Sequence, residues 1–375
     1  MLFGDYQLVG DIACGGMAEV YYAIPWTEVP DRVLAIKCIR PTLAQEQRFV
    51  DMFVREGRLA MLLRHPNIVG TEGVGDVDGR SYIVMEYIGG KDLNALLRRC
   101  QETSRRIPIP HALHIATGIC RALHYAHELK NDQGRPLDIV NRDVSPSNVR
   151  ITYDGSVRIL DFGIAQAVMQ VKSEIGILKG KFAYMSPEQV RGLPLDRRTD
   201  IFSTGIVLHE LLTTERLFRE ESEFVLMEKV RQTNIKPPSA YNKRVPPEVD
   251  ALVMRALERD PARRYQTAEA FAAAIAPLLE RYQFDPAELG ELNRSLYPAD
   301  ARKEQELLNQ LLQANQTAEE GPQKRPRSKT QPRPRRSRPA SAPDGPKKAK
   351  VHWAVWLSAA ALLLAASVLM IIALR

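Results

Sequence analysis

Three acidic residues, an amide and a lysine occur in this sequence at spacings that suit chemistry on phosphate. Lys37 ends the stretch LAIK, and Glu56 follows it by nineteen residues. Further along, Asp143 comes five residues before Asn148, and Asp161 follows Asn148 by thirteen residues. Carboxylate and amide oxygens are ligands for Mg²⁺, and lysine is a point charge for phosphate. Each side chain alone would be an ordinary surface residue, so their order and spacing carry the prediction.

A run of small residues near the N-terminus predicts a hairpin folded over phosphates. It reads LVGDIACGGMAEVYYA, with Ala13, Gly15 and Ala18 where the backbone would approach a ligand. A larger side chain at these positions would hold backbone N–H groups away from a phosphate oxygen. Taken alone, this run is equally compatible with a plain hairpin.

The sequence around these groups predicts an α+β fold with two lobes. The first eighty residues alternate in hydrophobicity around one helical stretch near 43–64, and SYIVMEYI has the pattern of a buried strand. After Gly90 the pattern becomes mostly helical, with short strands around 149–160. We expect a small lobe at about 6–88, a larger one at about 89–282, and a site in the cleft between them.

These motifs together resemble the eukaryotic-like (Hanks-type) serine/threonine protein kinases over roughly residues 6–282. The stretches LAIK, NRDVSPSN, ILDFG and YMSPE follow the order and spacing of that family. The membrane-anchored bacterial members share GGM, HPNIV and YMSPEQ with this sequence. The resemblance implies a two-lobed kinase fold, ATP and Mg²⁺ as cofactors, and transfer of the ATP γ-phosphoryl group to Ser or Thr of protein substrates.

The resemblance also implies a role for each of these residues. Lys37 would hold the α and β phosphates, and Glu56 would hold Lys37 in place. Asp143 would accept the proton of the attacking hydroxyl, while Asn148 and Asp161 would bind Mg²⁺. Residues of the first hairpin, of the buried strand and of the segment after it would contact the nucleotide: Ile12, Ala13, Gly15, Gly16, Ala18, Val20, Glu86 and Asp92.

Other positions are implied to support the catalytic loop. Asp200, in the predicted buried helix DIFSTGIVLHELLT, would tie the loop from beneath, and Glu188 would form an ion pair with Arg264. Arg142 would pair with a phosphate on the activation segment. Ser173 is the only hydroxyl residue between Asp161 and Lys181, so it is the local candidate for that phosphate.

Two positions of the catalytic loop depart from the family pattern. Asn141 stands where His is usual, and we expect it to loosen the packing against the Phe of ILDFG. Ser145 stands where a Lys usually neutralises charge on the transferring phosphoryl group. Lys181 occupies a usual Thr position, so Ser145 and Lys181 could have exchanged hydroxyl and ammonium; alternatively, Lys181 is a solvated loop lysine.

These departures keep three functions open. The first is an active serine/threonine kinase, the second a catalytically silent pseudokinase scaffold at the membrane, and the third a nucleotide-sensing module. Retention of Lys37, Glu56, Asp143, Asn148 and Asp161 favours the enzyme, because a pure scaffold does not need all five.

Charge and cysteines narrow the class of protein further. The net charge is +7, but residues 321–350 hold eleven Lys and Arg against one Asp, so the other residues sum to −3. A nucleic-acid-binding domain would spread its excess charge over a folded face, so we expect no nucleic acid partner. Four widely spaced cysteines, with no metal-ligand pattern, predict free thiols in a reducing compartment.

The C-terminal residues predict an extension, a linker and a membrane anchor. Residues 283–320 predict a helical extension that packs on the domain through a leucine stripe, and 321–350 predict a basic, Pro-rich, disordered linker. Residues 353–374 carry no ionisable side chain and predict a transmembrane helix about 33 Å long.

The flanks of this span predict its topology and its partners. The basic linker and the lack of an N-terminal signal pattern predict a kinase domain on the cytoplasmic side of the cell membrane. The linker could also contact anionic lipid. Ala361 and Ala365 form a small-xxx-small pattern that would allow a homodimer, although an Ala-rich composition alone suits a membrane helix.

Overall fold

Alternating apolar positions in the first ninety residues form a six-stranded antiparallel sheet. The structure, a computed structural model, describes residues 1–26, 32–162, 181–220, 222–232 and 234–319. The strands are β1 (Leu2–Phe3), β2 (Tyr6–Cys14), β3 (Ala18–Pro25), β4 (Leu34–Ile39), β5 (Thr71–Val77) and β6 (Arg80–Glu86). They lie in the order β1-β2-β3-β4-β6-β5. This sheet confirms the predicted β-rich first lobe.

Two helices, α1 (Pro41–Ala44) and α2 (Gln47–Ala60), pack against this sheet. The apolar residues of α2 recur at helical spacing, so they form one face. Phe49 and Phe53 on that face share a buried cluster with Ile83 of β6. The predicted helical stretch near 43–64 is therefore confirmed, with an interruption between the two helices.

The second lobe consists of helices around one buried core. They are α3 (Leu93–Glu102), α4 (Ile109–His127), α5 (Pro187–Val190), α6 (Arg198–Thr213), α7 (Glu223–Gln232), α8 (Pro247–Ala256) and α9 (Ala268–Tyr282). Residues Thr199 to Thr213 of α6 are all buried, so their hydroxyl groups need internal partners. Thr204 and Thr213 each donate to the carbonyl oxygen four residues earlier, at 2.8 and 2.9 Å. Helix α6 is the central helix that the sequence predicts.

A three-stranded sheet follows the segment that connects the lobes. Its strands β7 (Lys91–Asp92), β8 (Val149–Ile151) and β9 (Val157–Ile159) lie in that order, which confirms the short strands predicted around 149–160. Residues 87–90 before β7 are called the hinge below. Gly90 has a φ of +121°, and a Cβ there would lie 2.1 Å from the Ile151 carbonyl oxygen. Only glycine lets the hinge run this close to β8.

Two further helices, α10 (Pro286–Leu296) and α11 (Pro298–Glu319), occupy most of the predicted extension. Asp285 caps α10 by accepting a hydrogen bond from the Ala287 N–H at 2.9 Å. The buried apolar face of α10 packs into the core of the second lobe. The predicted leucine stripe on α11 is only half-buried, at Leu307, Leu308, Leu311 and Leu312.

The structure also bears on the cysteines and on the search for a membrane-spanning helix. All four cysteines are free thiols, as predicted: Cys14 is exposed, and Cys38, Cys100 and Cys120 are buried. Across the described part of the chain, no helix is both long and apolar enough to cross a membrane. The predicted linker at 321–350 and the predicted span at 353–374 lie outside the described residues.

Candidate active site

A cavity of about 170 Å³ lies between the first hairpin and the hinge. The β2–β3 hairpin is closed by Gly15, which donates its N–H to the Ala18 carbonyl oxygen at 2.9 Å. Six predicted site residues line the cavity: Ile12, Ala13, Val20, Lys37, Glu86 and Asp161. The other lining residues are Ala35, Val69, Met85, Tyr87, Ile88, Arg150 and Leu160. A largely apolar cavity with a few charged groups in its lining is typical of a small-ligand site.

Lys37 joins two carboxylates in this cleft. Its Nζ lies 3.3 Å from Glu56 Oε1 on α2 and 3.1 Å from Asp161 Oδ1. Burial disfavours the charged ammonium, but Asp161 and Glu56 outweigh that effect and raise the pKa of Lys37. The lysine is therefore a cation at neutral pH, and its predicted pairing with Glu56 is confirmed.

Asp200, at the start of α6, holds the catalytic loop (residues 141–148) from beneath. Its two carboxylate oxygens accept hydrogen bonds from the backbone N–H groups of Asn141 and Arg142, both at 2.8 Å. Arg142 adopts a φ of +63°, which is unfavourable for a residue with a side chain. The bonds to Asp200 hold this conformation, so the predicted tie between α6 and the loop is confirmed.

Asn141 connects the catalytic loop to the segment that carries Asp161. It is fully buried; its Nδ2 donates to the Asp161 carbonyl oxygen at 3.2 Å, and its Oδ1 accepts from the Asp143 N–H at 3.0 Å. Phe162, which follows Asp161 in the sequence, is also buried in the core. Two hydrogen bonds therefore connect Asn141 to the backbone of the site, while the expectation that it loosens the packing against Phe162 stays a prediction. The family pattern gave no signal for this role.

Asp143, Asn148 and Asp161 are linked through the backbone of the loop. Asn148 Nδ2 donates to the Asp143 carbonyl oxygen at 2.8 Å, and its own carbonyl accepts from the Leu160 N–H at 2.9 Å. Because the Nδ2 of Asn148 donates to the Asp143 carbonyl oxygen, its Oδ1 is the side-chain atom that would bind a metal. The Asp161 side chain is 41% exposed, which leaves it accessible from the cleft.

The donor set fits Mg²⁺ only together with a phosphate ligand. Asp161 and Asn148 offer one carboxylate and one amide oxygen, and Mg²⁺ usually combines one or two such ligands with substrate phosphates and water. Among the described residues, no group of three or more His, Cys, Asp or Glu could hold a metal ion.

Four predicted nucleotide contacts, Gly15, Gly16, Ala18 and Asp92, are not among the residues that line this cavity, so their contact with a nucleotide stays a prediction. Ala18 is buried in the cluster beneath α2, and Gly16 follows Gly15 in the hairpin turn. Asp92 caps α3, because its Oδ1 accepts from the Ala95 N–H at 2.8 Å. Glu86 lines the cavity, but its carboxylate accepts from the Gly70 N–H at 2.6 Å. We expect the backbone of Glu86, rather than its carboxylate, to meet a nucleotide.

The proposed exchange between Ser145 and Lys181 stays a prediction. Ser145 is buried, and its hydroxyl lies 3.1 Å from that of Ser147 within the loop. The backbone of Lys181 begins a 3-10 turn that runs to Tyr184, but its side chain lies outside what the structure describes. Ser173 also lies outside the described residues.

The end of the activation segment is fixed to the second lobe by a buried ion pair. Arg264 donates to both carboxylate oxygens of Glu188, at 2.7 and 2.8 Å. Burial alone would raise the pKa of Glu188, but the hydrogen bonds and charge of Arg264 lower it. Next to this pair, Gln189 donates to the Arg142 carbonyl oxygen at 3.0 Å. The predicted pairing of Glu188 with Arg264 is confirmed, and the neighbouring Gln189 contacts the catalytic loop.

A strand lysine paired with a helix glutamate, and a catalytic loop tied to a central helix, define the two-lobed protein kinase class. The family model for the protein kinase domain matches residues 6–274. The chain belongs to the protein kinase family.

Similar curated proteins and solved structures come from several bacteria. Tyrosine-protein kinase MasK of Myxococcus xanthus is 42% identical over 282 residues, which cover 75% of this chain and 44% of MasK. Serine/threonine-protein kinase PknB of Mycobacterium leprae is 36% identical over 290 residues, covering 76% of this chain and 44% of PknB. The Mycobacterium tuberculosis PknI kinase domain has a TM-score of 0.56 and 26% identity, covering 74% of this chain and 97% of that domain. The chain thus spans less than half the length of these two curated relatives.

Proposed function

We propose that this protein transfers the γ-phosphoryl group of ATP to serine or threonine hydroxyls of other proteins. The observation that carries the proposal is the position of Lys37, within 3.3 Å of Glu56 and 3.1 Å of Asp161. Phosphoryl transfer in protein kinases needs this lysine–glutamate pair and the metal-binding aspartate in place at the same time. A scaffold without catalysis would have no requirement for that arrangement.

Each residue of the site would contribute to one part of the transfer. Lys37 would bind the phosphates, and Asn148 and Asp161 would hold Mg²⁺, which neutralises phosphate charge when bound. Asp143 would accept the proton from the attacking hydroxyl. The loop is already held by Asp200 and Asn141, so little reorganisation would be needed for the reaction.

A tyrosine acceptor is the second candidate, because MasK, at 42% identity, is named a tyrosine-protein kinase. PknB of Mycobacterium leprae and several other relatives are named serine/threonine kinases. Incubation of the full chain with labelled ATP, Mg²⁺ and a generic basic protein, followed by phosphoamino acid analysis, distinguishes the two acceptors. We expect label on serine and threonine; label on tyrosine alone would replace this assignment.

We further propose that residues 353–374 attach the kinase domain to the cell membrane from the cytoplasmic side. The support is the sequence alone: an uncharged apolar stretch after a basic segment. In cell fractionation, the full chain should sediment with membranes, and a chain stopped at residue 320 should stay in the supernatant. Recovery of the shortened chain with membranes would assign the attachment to another element.

A further inference from the structure

The hinge separates two cavities, one on each side of the same short segment. Tyr87 and Ile88 line the nucleotide cavity described above. The same two residues, with Gly89, also line a second cavity of about 280 Å³ between the hinge and helix α11. Any group that fixes the hinge from the α11 side therefore also fixes one wall of the nucleotide cavity.

Glu304 on α11 makes such a contact from the second cavity. Its Oε1 accepts a hydrogen bond from the Tyr87 hydroxyl at 2.5 Å and from the backbone N–H of Gly90 at 3.1 Å. Its Oε2 accepts a hydrogen bond from the hydroxyl of Tyr153 at 3.3 Å. Tyr153 lies in the second lobe, just after β8. One carboxylate thus connects both ends of the hinge to the second lobe. Hydrogen bonds to an ionised acceptor are stronger than hydrogen bonds between two neutral groups.

Two hinge residues, Gly89 and Tyr87, make room for the Glu304 carboxylate and hydrogen-bond to it. A Cβ at Gly89 would lie 2.6 Å from Glu304 Oε1, so any side chain there would push the carboxylate away. The Tyr87 ring packs against Tyr22 of β3, with centroids 5.1 Å apart. Burial and the hydrogen bond to Glu304 raise the pKa of Tyr87, which keeps its hydroxyl protonated as a donor. Tyr87 therefore links the first lobe, the hinge and α11.

Polar contacts beside the hinge hold α11 in place. Lys91 Nζ lies 2.7 Å from Asp300 Oδ2 and 5.0 Å from the centroid of the Tyr297 ring. The Tyr297 hydroxyl donates to the Ala95 carbonyl oxygen at 2.7 Å. The leucines of α11 are only half-buried. Charged and polar contacts next to the hinge thus contribute to the docking of α11.

We propose that Glu304 is a positioning residue for the nucleotide, and that helix α11 completes the nucleotide site from behind the hinge. The proposal rests on the proposed function for the identity of the ligand, ATP with Mg²⁺. A hinge held before binding loses less conformational freedom when the nucleotide enters, so the affinity is higher. Glu304 does not itself line the nucleotide cavity; it acts through Tyr87 and Gly90.

Thermodynamic linkage gives the proposal a second consequence. If the docked α11 raises the affinity for nucleotide, bound nucleotide must stabilise the docked α11 by the same factor. Amide hydrogen exchange of the full chain should therefore slow at Gly90 and along residues 298–313 when a nonhydrolysable ATP analogue and Mg²⁺ are added. Equal exchange with and without the analogue would contradict the coupling.

The decisive experiment compares Glu304→Ala and Glu304→Gln in the full chain. The control is Glu306→Gln, which changes an exposed glutamate on the same helix. Analogue affinity is measured by calorimetry, and KM for ATP, KM for the protein substrate and kcat are measured by phosphate transfer. We expect Glu304→Ala to weaken analogue binding and raise KM for ATP by about fivefold or more, the lower end for coupled sites. The glutamine, which keeps a hydrogen-bond acceptor, should lose less.

The remaining measurements separate positioning from folding and from catalysis. Thermal unfolding without nucleotide identifies any variant that fails to fold; Tyr87→Phe then tests the same contact from the hinge side. A purely structural role would lower kcat through loss of active protein and leave KM for ATP unchanged, which would overturn the proposal. If the wild type binds the analogue but transfers no phosphate, the proposed function fails while the affinity comparison still decides this inference. A wild type that binds no nucleotide overturns both.

Discussion

At the scale of single residues, Asn141 departs from the family pattern but makes two hydrogen bonds to the backbone of the site. Its amide supplies both a donor and an acceptor, which join the Asp143 backbone to the Asp161 backbone. We expect Asn141→Ala to lower the free energy of unfolding by about 1–3 kcal/mol, because it leaves buried polar groups unpaired. Chemical denaturation of both proteins measures this. We also expect a lower kcat for the mutant. Unchanged stability and unchanged kcat would show that Asn141 does not hold the Asp143 and Asp161 backbones together.

The exchange between Ser145 and Lys181 is a residue-scale prediction from the sequence. Lys181→Thr should lower kcat by roughly 10²-fold if this lysine supplies the missing cation. Ser145→Lys alone should help little, because two ammonium groups sharing one site repel each other. The double change should recover much of the loss, since it restores the usual family pairing. The measurement is kcat from steady-state kinetics of the wild type, the two single mutants and the double mutant. If the free-energy effects of the two single changes simply add in the double mutant, the side chains do not interact and the exchange is excluded.

Much of the site could be predicted at this scale, because the decisive residues carry distinctive types at fixed spacings. Lys37 and Glu56, nineteen residues apart, meet as their order indicates. The roles of Asn141 and Glu304 could not be predicted. An asparagine in a loop or a glutamate on a helix is usually exposed, and only the folded chain reveals the backbone groups that each one contacts.

At the scale of elements, the buried Glu188–Arg264 pair joins the activation segment to the loop before α9. Arg264→Leu should lower the free energy of unfolding by about 3–5 kcal/mol, because it leaves the Glu188 carboxylate buried without its partner. Arg281→Leu is a matched control, since it breaks the exposed pair of Arg281 with Glu248 and should unfold close to wild type. Similar denaturation midpoints for the two mutants would contradict the importance of the buried pair.

One of the four histidines of helix α4, His114, should make stability depend on pH. The rings of His111 and His114 lie 5.0 and 5.1 Å from that of Phe284. Burial, with the charge of Arg121, lowers the pKa of His114 to about 4. The unfolded chain then binds more protons than the folded chain between this value and about 6.5, so stability falls as the pH drops through that range.

The corresponding measurement is the free energy of unfolding at pH 7 and pH 4.5 for wild type and His114→Gln. We expect wild type to lose on the order of 2 kcal/mol more than the mutant, because the mutant lacks this titration. Comparing the two proteins at each pH cancels the other titrating groups. Identical pH profiles would show that His114 does not contribute.

At the scale of the whole molecule, the extension after the second lobe is more closely tied to the site than its sequence suggests. Hydrophobic periodicity predicts a helical extension over 283–320 that packs through leucines. The structure has helices α10 and α11 there, but α11 meets the hinge through Glu304, more than two hundred residues from Tyr87 in sequence. Periodicity reports which face is apolar, and it carries no information about a polar contact over that distance. Domain boundaries drawn by family likeness, as at residue 274, would omit this helix.

The central claim is that this two-lobed chain is an active phosphotransferase with Asp143 as its base. The most direct measurement follows phosphate transfer from labelled ATP by the full wild-type chain and by Asp143→Asn, together with the affinity of each for a nonhydrolysable analogue. We predict transfer by the wild type, a loss of about 10²–10⁴-fold in the variant, and similar analogue affinity in both, because Asp143 acts on the acceptor hydroxyl. Equal transfer by the two proteins, or no transfer by the wild type despite bound nucleotide, would contradict the claim.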